Sequence, residues 1–199
     1  MDALEIFEAA GAVIRDTHVV YTSGLHGNTY INKDAVYVDT TSISLLCSMM
    51  AEKYVDADVD TVLGPAIGAV ILSQWTAHHL GILLNRKIAS VYAEKSDRGF
   101  VIRRGYDSFV MQKKILIVED VVTTGGSIKS VIDEVKRVNG TIVGVSALCN
   151  RGGILSKDLK VPRFEALLNI KLGTWTSDKC PLCQSGIPIN TRMGKGKGL

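Results

Sequence analysis

A chain of 199 residues, with 46% hydrophobic and 22% charged residues, has the composition of a globular protein and is long enough to bury a complete core as one domain. Its formal net charge of +3 is too small to indicate nucleic-acid binding. No apolar run reaches the roughly 20 residues that a membrane span needs, and the N-terminus carries acids where a secretory signal has basic residues. The composition therefore favours a cytoplasmic protein without a membrane or nucleic-acid partner.

The N-terminal part of the chain predicts two helices separated by short strands. Apolar residues recur at helical spacing over 3–14 and again over 42–54. Two β-type runs, 18–21 and 29–31, are joined by TSGLHGN, a segment rich in turn-forming residues.

From residue 60 onwards, predicted strands and helices alternate. The predicted strands are 60–63, 88–92, 115–118 and 141–148, and the predicted helices are 68–80 and 127–138. Strands that alternate with helices form right-handed βαβ units around a parallel sheet. The sequence therefore predicts an α/β fold.

The polar segment 93–114 interrupts this alternation and is long for a connection in a compact domain. It carries Lys95, Arg98, Arg103 and Arg104. Such segments are commonly functional lids or disordered, and a basic cluster is ordinarily a solvated surface. We expect a mobile lid whose basic residues contact an anionic substrate.

The segment ILIVEDVVTTGGSIKS places two acids, Glu119 and Asp120, at the end of a buried strand and before a Thr/Gly/Ser loop and a helix. Glycines allow a tight turn that aims N–H groups into one concavity, and the helix N-terminus adds partial positive charge. This arrangement suits a phosphate group, and the acids suit sugar hydroxyls or a bound cation. The alternative is an ordinary strand–turn–helix with a capping hydroxyl. Neither a Walker P-loop nor a GxGxxG fingerprint is present in the sequence.

The stretch VEDVVTTGGS resembles the signature of the type I phosphoribosyltransferases for binding phosphoribosyl pyrophosphate (PRPP). The resemblance implies that Glu119 and Asp120 bind the ribose hydroxyls. It implies that the 5′-phosphate is bound by Thr123, Thr124, Gly125, Gly126 and Ser127. After an earlier strand, the pyrophosphate loop would be formed by Gly64, Pro65, Ala66, Ile67 and Gly68. The candidate catalytic residues are Asp120, Lys95, Arg103 and Arg104: Asp120 and Lys95 match positions of the family pattern, and the two arginines are included because they lie in the candidate lid.

The same resemblance implies a fold and a cofactor. The fold is a type I phosphoribosyltransferase-like parallel sheet flanked by helices, with a small hood formed by the N- and C-terminal segments. One phosphoribosyltransferase domain would span 1–199, with its core at about 42–150 and its hood at about 1–41 and 151–199. Mg²⁺ is expected with the pyrophosphate, because that ion is usually held by substrate phosphates and few protein ligands. A homodimer is also implied.

Within this superfamily the segments TSG…TYIN and LCNRGG resemble the orotate phosphoribosyltransferases. That resemblance implies a base site formed by Tyr30, Ile31, Thr123 and Arg151, with the arginine on the orotate carboxylate. A planar guanidinium suits a planar carboxylate. Two alternatives stay open: transfer to a purine or another base, and a PRPP-sensing regulator that does not turn over.

The four cysteines fall into two groups. Cys47 and Cys149 lie on predicted core elements and are expected to pack as small apolar residues. Cys180 and Cys183 have the CxxC spacing of a zinc knuckle but supply only half a site. A second CxxC across a two-fold dimer would complete it, whereas the alternative, which we favour, is a simple structural turn.

Overall fold

The computed structural model describes residues 1–21, 23–170 and 172–194, which fall into two compact units. The core unit is Thr40–Ile170. The terminal unit combines Met1–Asp39 with the described residues after 171. No described helix has both the length and the apolar character needed to cross a membrane.

Helices among the described residues are, in chain order, α1 (Ala3–Ala9), α2 (Asp34–Tyr37), α3 (Thr40–Glu52), α4 (Val70–Leu84), α5 (Gly126–Arg137), α6 (Ser156–Leu159) and α7 (Pro181–Gln184). Short 3₁₀ turns occur at Tyr106–Phe109 and Ser177–Lys179.

Strands among the described residues are β1 (Val13–Ile14), β2 (Val19–Val20), β3 (His26–Gly27), β4 (Tyr30–Ile31), β5 (Thr61–Pro65), β6 (Ala89–Ser96), β7 (Gly99–Ile102), β8 (Lys114–Val122), β9 (Thr141–Asn150), β10 (Phe164–Asn169) and β11 (Thr174–Trp175).

The core unit is built on a sheet with strand order β10-β9-β8-β5-β6-β7, in which only the β6–β7 pairing is antiparallel. The apolar run Ile115–Val118 of β8 is completely buried, as expected for a strand that is covered on both faces. Helix α5 buries Ile128, Val131, Ile132 and Val135, which share one face at helical spacing. The predicted α/β fold with a parallel sheet flanked by helices is confirmed.

The terminal unit joins the two ends of the chain. Helix α1 begins with a capping box between Asp2 and Glu5. Strand β1 pairs with β4, and a second small sheet has the order β11-β3-β2. The C-terminal strand β11 thus extends a hairpin that is formed by N-terminal residues.

The first part of the predicted loop 93–114, up to Ile102, is a β-hairpin. Strand β6 continues to Ser96 and turns back into β7, with Gly99 at φ +106°. The N–H of Phe100 donates to Ser130 Oγ at 2.8 Å, and the N–H of Ile102 donates to Glu134 Oε1 at 2.7 Å. Side chains of α5 therefore fix β7 in place, which a polar sequence alone does not reveal. The mobility of the segment stays a prediction.

The core unit extends beyond the boundary near residue 150 that the sequence indicated. Strand β10 pairs in parallel with β9, with Phe164 opposite Val145 and Asn169 opposite Asn150. This pairing keeps residues up to Ile170 with the sheet, and the described residues after 171 belong with the N-terminal segment.

Candidate active site

The predicted PRPP-binding segments lie at one edge of the sheet. Strands β5, β8 and β9 are parallel neighbours, so their carboxyl ends point the same way. The loops that follow them begin near Pro65, Val122 and Asn150. Ligands of open α/β sheets bind in crevices at this edge.

The two acids of the site lie inside strand β8, which continues to Val122 and does not end at Val118 as predicted. Glu119 is 7% exposed and Asp120 is 9% exposed. Glu119 Oε1 accepts the N–H of Asp120 at 3.0 Å, and Asp120 Oδ1 accepts the N–H of Val121 at 2.5 Å. These bonds hold both carboxylates against the strand.

The segment Thr123–Ser127 forms a tight loop into helix α5. Gly125 adopts a left-handed conformation at φ +74°, and a Cβ there would come within 2.8 Å of Leu159 Cδ2. The helix begins at Gly126, so the N–H groups of its first turn have no partner within the helix. A cavity of about 60 Å³ is lined by Glu119 and by residues 121–128. Its size and its N–H groups suit a phosphate.

The turn after β9 is joined directly to this loop. The N–H groups of Arg151 and Gly152 both donate to the carbonyl of Val122, at 2.8 and 3.1 Å. A Cβ at Gly152 would overlap the Thr123 carbonyl, so only glycine fits. The backbone of Arg151, a half-buried residue, is therefore hydrogen-bonded to Val122, the residue that precedes the phosphate loop.

Asn150 fixes the shape of the same turn, and the sequence did not single it out. It is 5% exposed and donates from Nδ2 to the carbonyl of Ile154 at 2.9 Å. Its Oδ1 accepts the N–H of Ile154 at 3.1 Å. A side chain that bridges the two ends of the turn restricts the backbone on which Arg151 lies.

The predicted pyrophosphate loop 64–68 follows β5. A Cβ at Gly64 would overlap the carbonyl of Ala69, which explains the glycine. The N–H of Ala66 donates to the carbonyl of Ala93 at 2.8 Å, which ties the loop to β6. The Ala66–Ile67 peptide is cis, and Ile67 is 88% exposed.

The predicted basic residues are exposed on and after the β6–β7 hairpin. Arg104 Nε donates to Glu94 Oε1 at 2.6 Å, and Arg103 lies 4.0 Å from the same carboxylate. Hydrogen bonding to Glu94 raises the pKa of Arg104 above its ordinary value. Glu94, which the sequence did not mark as an interacting group, thus holds both arginines. Lys95 projects from the opposite face of β6, because adjacent strand residues alternate.

The predicted base-binding residues fall in both units. Tyr30 and Ile31 form β4 of the terminal unit, where they pair with Ile14 and Val13. Thr123 and Arg151 belong to the core unit. Of the resembling segment TSG, Thr22 lies outside the described residues.

The cysteines differ in their surroundings. Cys47 and Cys149 are buried, and burial raises the pKa of their thiols to about 12 and about 11. Their predicted packing as small apolar residues is confirmed. Cys180 and Cys183 instead lie beside two histidines of the terminal unit, His18 and His26.

A second cavity, of about 880 Å³, lies at the opposite edge of the sheet. Thr61 and Ala89, the first residues of β5 and β6, contribute to its lining. It is remote from the acids and from the phosphate loop, which follow the carboxyl ends of the strands.

Comparison with known proteins gives consistent results. Residues 37–169 match the family model described as the phosphoribosyl transferase domain. The orotate phosphoribosyltransferase of Caldanaerobacter subterraneus subsp. tengcongensis is 36% identical, with 94% of this chain and 93% of the relative covered. That of Chlorobium phaeobacteroides is 34% identical, with 94% and 92% covered.

Solved structures share the fold at lower identity. The orotate phosphoribosyltransferase of Mycobacterium tuberculosis H37Rv, in complex with Fe(III) dicitrate, superposes with a TM-score of 0.69 at 24% identity, covering 85% of this chain and 96% of the other. The adenine phosphoribosyltransferase of Thermoanaerobacter pseudethanolicus gives 0.63 at 17% identity, covering 84% and 99%. The fold is therefore common to enzymes that are named for different bases.

Proposed function

The chain belongs to the phosphoribosyltransferase family, and we propose that it transfers the phosphoribosyl group of PRPP to orotate, giving orotidine 5′-monophosphate and pyrophosphate. The observation that supports orotate as the base is the position of Arg151, whose N–H donates to the carbonyl of Val122, the residue that precedes the phosphate loop. Relatives over 30% identical along nearly the whole chain, named for the orotate reaction, support it. The fold does not support the choice of orotate over another base, because an adenine phosphoribosyltransferase shares it.

PRPP binding would use the three loops at the carboxyl edge of the sheet. The N–H groups and hydroxyls of Thr123–Ser127 receive the 5′-phosphate, where the N-terminus of α5 adds partial positive charge. Glu119 and Asp120 accept hydrogen bonds from the ribose hydroxyls. Residues Gly64–Gly68 receive the pyrophosphate. Each group is fixed by backbone contacts before substrate arrives, which lowers the cost of ordering it on binding.

The reaction breaks the bond between the anomeric carbon of PRPP and a pyrophosphate oxygen, which leaves with the bonding electrons. A ring nitrogen of orotate supplies the electron pair of the new bond to that carbon and loses its proton. Positive charge develops on the ribose and negative charge on the leaving group. The protein therefore contributes by positioning, electrostatic stabilisation and exclusion of water.

Mg²⁺ is proposed as the cofactor. The hard carboxylate oxygens of Glu119 and Asp120 at this edge suit the ion, and each already accepts a backbone N–H, so the substrate would supply most of its ligands. When bound to the pyrophosphate oxygens, Mg²⁺ neutralises charge that develops on the leaving group.

Lys95, Arg103 and Arg104 are proposed to contact the pyrophosphate. The two arginines share the carboxylate of Glu94, with Arg104 also 5.9 Å from the centre of the Tyr92 ring. For either arginine to bind an anion, it must exchange Glu94 for pyrophosphate. Exposed ion pairs of this kind are weak because water screens them, so a highly charged substrate displaces them readily.

Arg151 is proposed to pair with the carboxylate of the base, and the contact of the base with Tyr30 and Ile31 that the resemblance implies stays a prediction. Paired charged hydrogen bonds are the strongest of the polar contacts available to a planar acid. We further propose a cytoplasmic homodimer. The four free cysteines suit a reducing compartment.

The test of this function is a stoichiometric assay with orotate, PRPP and Mg²⁺. We expect orotate to be consumed and pyrophosphate released one for one, with no turnover after chelation of Mg²⁺. If PRPP binds by calorimetry but no nucleotide forms, the regulator is the correct function. If another base reacts and orotate does not, the assignment of the PRPP site is retained and the assignment of orotate as the base is wrong.

A further inference from the structure

Four side chains with metal-binding atoms converge in the terminal unit: His18, His26, Cys180 and Cys183. Their candidate ligand atoms all lie within 4.8 Å of one another. His18 and Cys180 are 162 positions apart in the sequence. The CxxC motif thus meets its two partners within the same chain.

The distances between the nitrogen and sulfur atoms fit a tetrahedral ion. His18 Nε2 lies 3.6 Å from both Cys180 Sγ and Cys183 Sγ, and His26 Nδ1 lies 3.4 Å from Cys183 Sγ. With Zn–N of about 2.0 Å and Zn–S of about 2.3 Å, tetrahedral angles put nitrogen and sulfur ligands roughly 3.5 Å apart. The two nitrogens, at 2.8 Å, are about half an ångström closer than a zinc ion would hold them, so a small rotation of the imidazoles completes the geometry.

The orientation of His18 also suits a ligand. Its Nδ1 lies 2.6 Å from the carbonyl oxygen of Ile187, and a carbonyl can only accept, so this nitrogen carries the proton of the neutral ring. The lone pair is then on Nε2, which faces the two sulfurs. Histidines that bind metals are commonly oriented in this way by a carbonyl on the other nitrogen.

Burial favours an ion over a plain polar cluster. His18 is 2% exposed, His26 is 6% exposed and Cys180 is completely buried, whereas Cys183 lies at the surface. Two thiolates and two neutral imidazoles around Zn²⁺ sum to zero charge, which lowers the cost of burying the group. Four protein ligands leave no open position, which is typical of a structural site.

We propose that His18, His26, Cys180 and Cys183 bind one Zn²⁺ per chain in a closed tetrahedral site. The ion joins the CxxC motif at the start of α7 to His18, which immediately precedes β2, and to His26 of β3. A metal link that closes a loop of this length removes much conformational freedom from the unfolded chain. The site therefore stabilises the terminal unit and takes no part in the transfer chemistry.

The test is elemental analysis of the tag-free protein, purified under reducing conditions from zinc-containing medium. We expect one zinc per chain, and loss of zinc in Cys180→Ser and His26→Gln. Matched controls are Cys47→Ala, in the buried core, and His78→Gln, on the exposed face of α4; both should retain full zinc. Replacement of zinc by Co²⁺ in the wild type should give the visible absorption of a tetrahedral ion with thiolate charge transfer, a result that does not depend on whether a variant folds.

Three results would overturn the proposal. The first is wild-type protein that contains no zinc and takes up neither Zn²⁺ nor Co²⁺ after reduction. The second is half a zinc per chain that persists in His26→Gln, which indicates two CxxC motifs meeting across a dimer. The third is a Cys180–Cys183 disulfide in the protein isolated from cells. None of these measurements depends on transferase activity, so the zinc site can be refuted without refuting the proposed function, and the reverse.

Discussion

At the scale of single residues, Glu119 and Asp120 both carry a carboxylate, but their side chains project from opposite faces of strand β8, because adjacent strand residues alternate. Both are nearly buried, and each carboxylate accepts one backbone N–H of its own strand. We propose that both carboxylates also accept hydrogen bonds from the sugar hydroxyls of the substrate, since each carboxylate oxygen can accept more than one hydrogen bond.

Asp120→Asn tests the ribose contact. The amide keeps the size of the side chain but removes the charge, and hydrogen bonds to charged groups contribute about 1.5–3 kcal/mol. We expect kcat/KM for PRPP to fall by about 10- to 100-fold with an unchanged circular dichroism spectrum. Asp133→Asn, an exposed change on α5, is the matched control. Near-normal kinetics in Asp120→Asn would remove the assignment.

Arg151→Ala tests the base contact. Loss of a charged, paired hydrogen bond should lower kcat/KM for orotate by about 100-fold. Uracil, which has no carboxylate, is the internal control, and its slow turnover should change little. The orotate-to-uracil preference should therefore narrow, and an equal fall for both bases would show that Arg151 acts on something other than the carboxylate.

The sequence predicted site residues well where they are neighbours in the chain. VEDVVTTGGS carries its acids and its loop within one strand–turn–helix, so local rules suffice. Contacts between distant segments were missed, because no local pattern records them. His18 and His26 are the clearest case, since each looks like an ordinary loop or strand residue until CxxC is placed beside it.

At the scale of elements, the β6–β7 hairpin shows why polar strands are hard to predict. Glu94, Lys95 and Ser96 have low strand propensity, yet they pair in register with Val101, Phe100 and Gly99. Tertiary contacts decide the outcome: Ser130 and Glu134 of α5 accept the N–H groups of β7. The buried apolar strands β5, β8 and β9 were predicted because burial on both faces leaves a continuous apolar run.

Glu134→Ala tests this anchor. Glu134 is 6% exposed, accepts the N–H of Ile102 and pairs with Arg137 at 2.6 Å. Its removal leaves a buried N–H without an acceptor, and we expect the free energy of unfolding to fall by about 1–3 kcal/mol in urea titrations at neutral pH. Glu134→Gln, which keeps an acceptor, should lose less.

The ion pair between Glu134 and Arg137 also makes the free energy of unfolding depend on pH. Hydrogen bonding to Arg137 lowers the pKa of Glu134 in the folded protein below its ordinary value of 4.5. A lowered folded pKa stabilises the fold above the unfolded pKa, and this contribution is lost as pH falls through the folded value. The stability difference between wild type and Glu134→Gln should therefore shrink in acid; a constant difference from pH 7 down to about pH 3 would contradict the ionic anchor.

At the scale of the whole molecule, the chain divides its tasks between two units. The core unit supplies the sheet edge with its three loops, and the terminal unit gathers both chain ends around the histidine–cysteine cluster. The composition and the alternation of strands and helices were sufficient to predict the fold of the core unit from the sequence. The structure of the terminal unit depends on pairing between β3 and β11, which are separated by most of the sequence.

The proposed homodimer is tested by sedimentation at assay concentration, where we expect the mass of two chains. If the hairpin of one chain completes the site of its partner, a mixture of Lys95→Ala and Asp120→Asn should regain part of the activity that each variant lacks alone. A fully active monomer would contradict the dimer.

The most direct test of the whole account is one reaction in which equal amounts of orotate, uracil, adenine, guanine and xanthine compete for PRPP and Mg²⁺. The nucleotides formed are identified by mass spectrometry and compared with the pyrophosphate released. A site built to pair a carboxylate rejects bases that lack one, because the charged hydrogen bonds of that pair are then not formed. We predict orotidine 5′-monophosphate as the dominant product, equal in amount to the pyrophosphate. Nucleotide from another base, with none from orotate, would contradict the account.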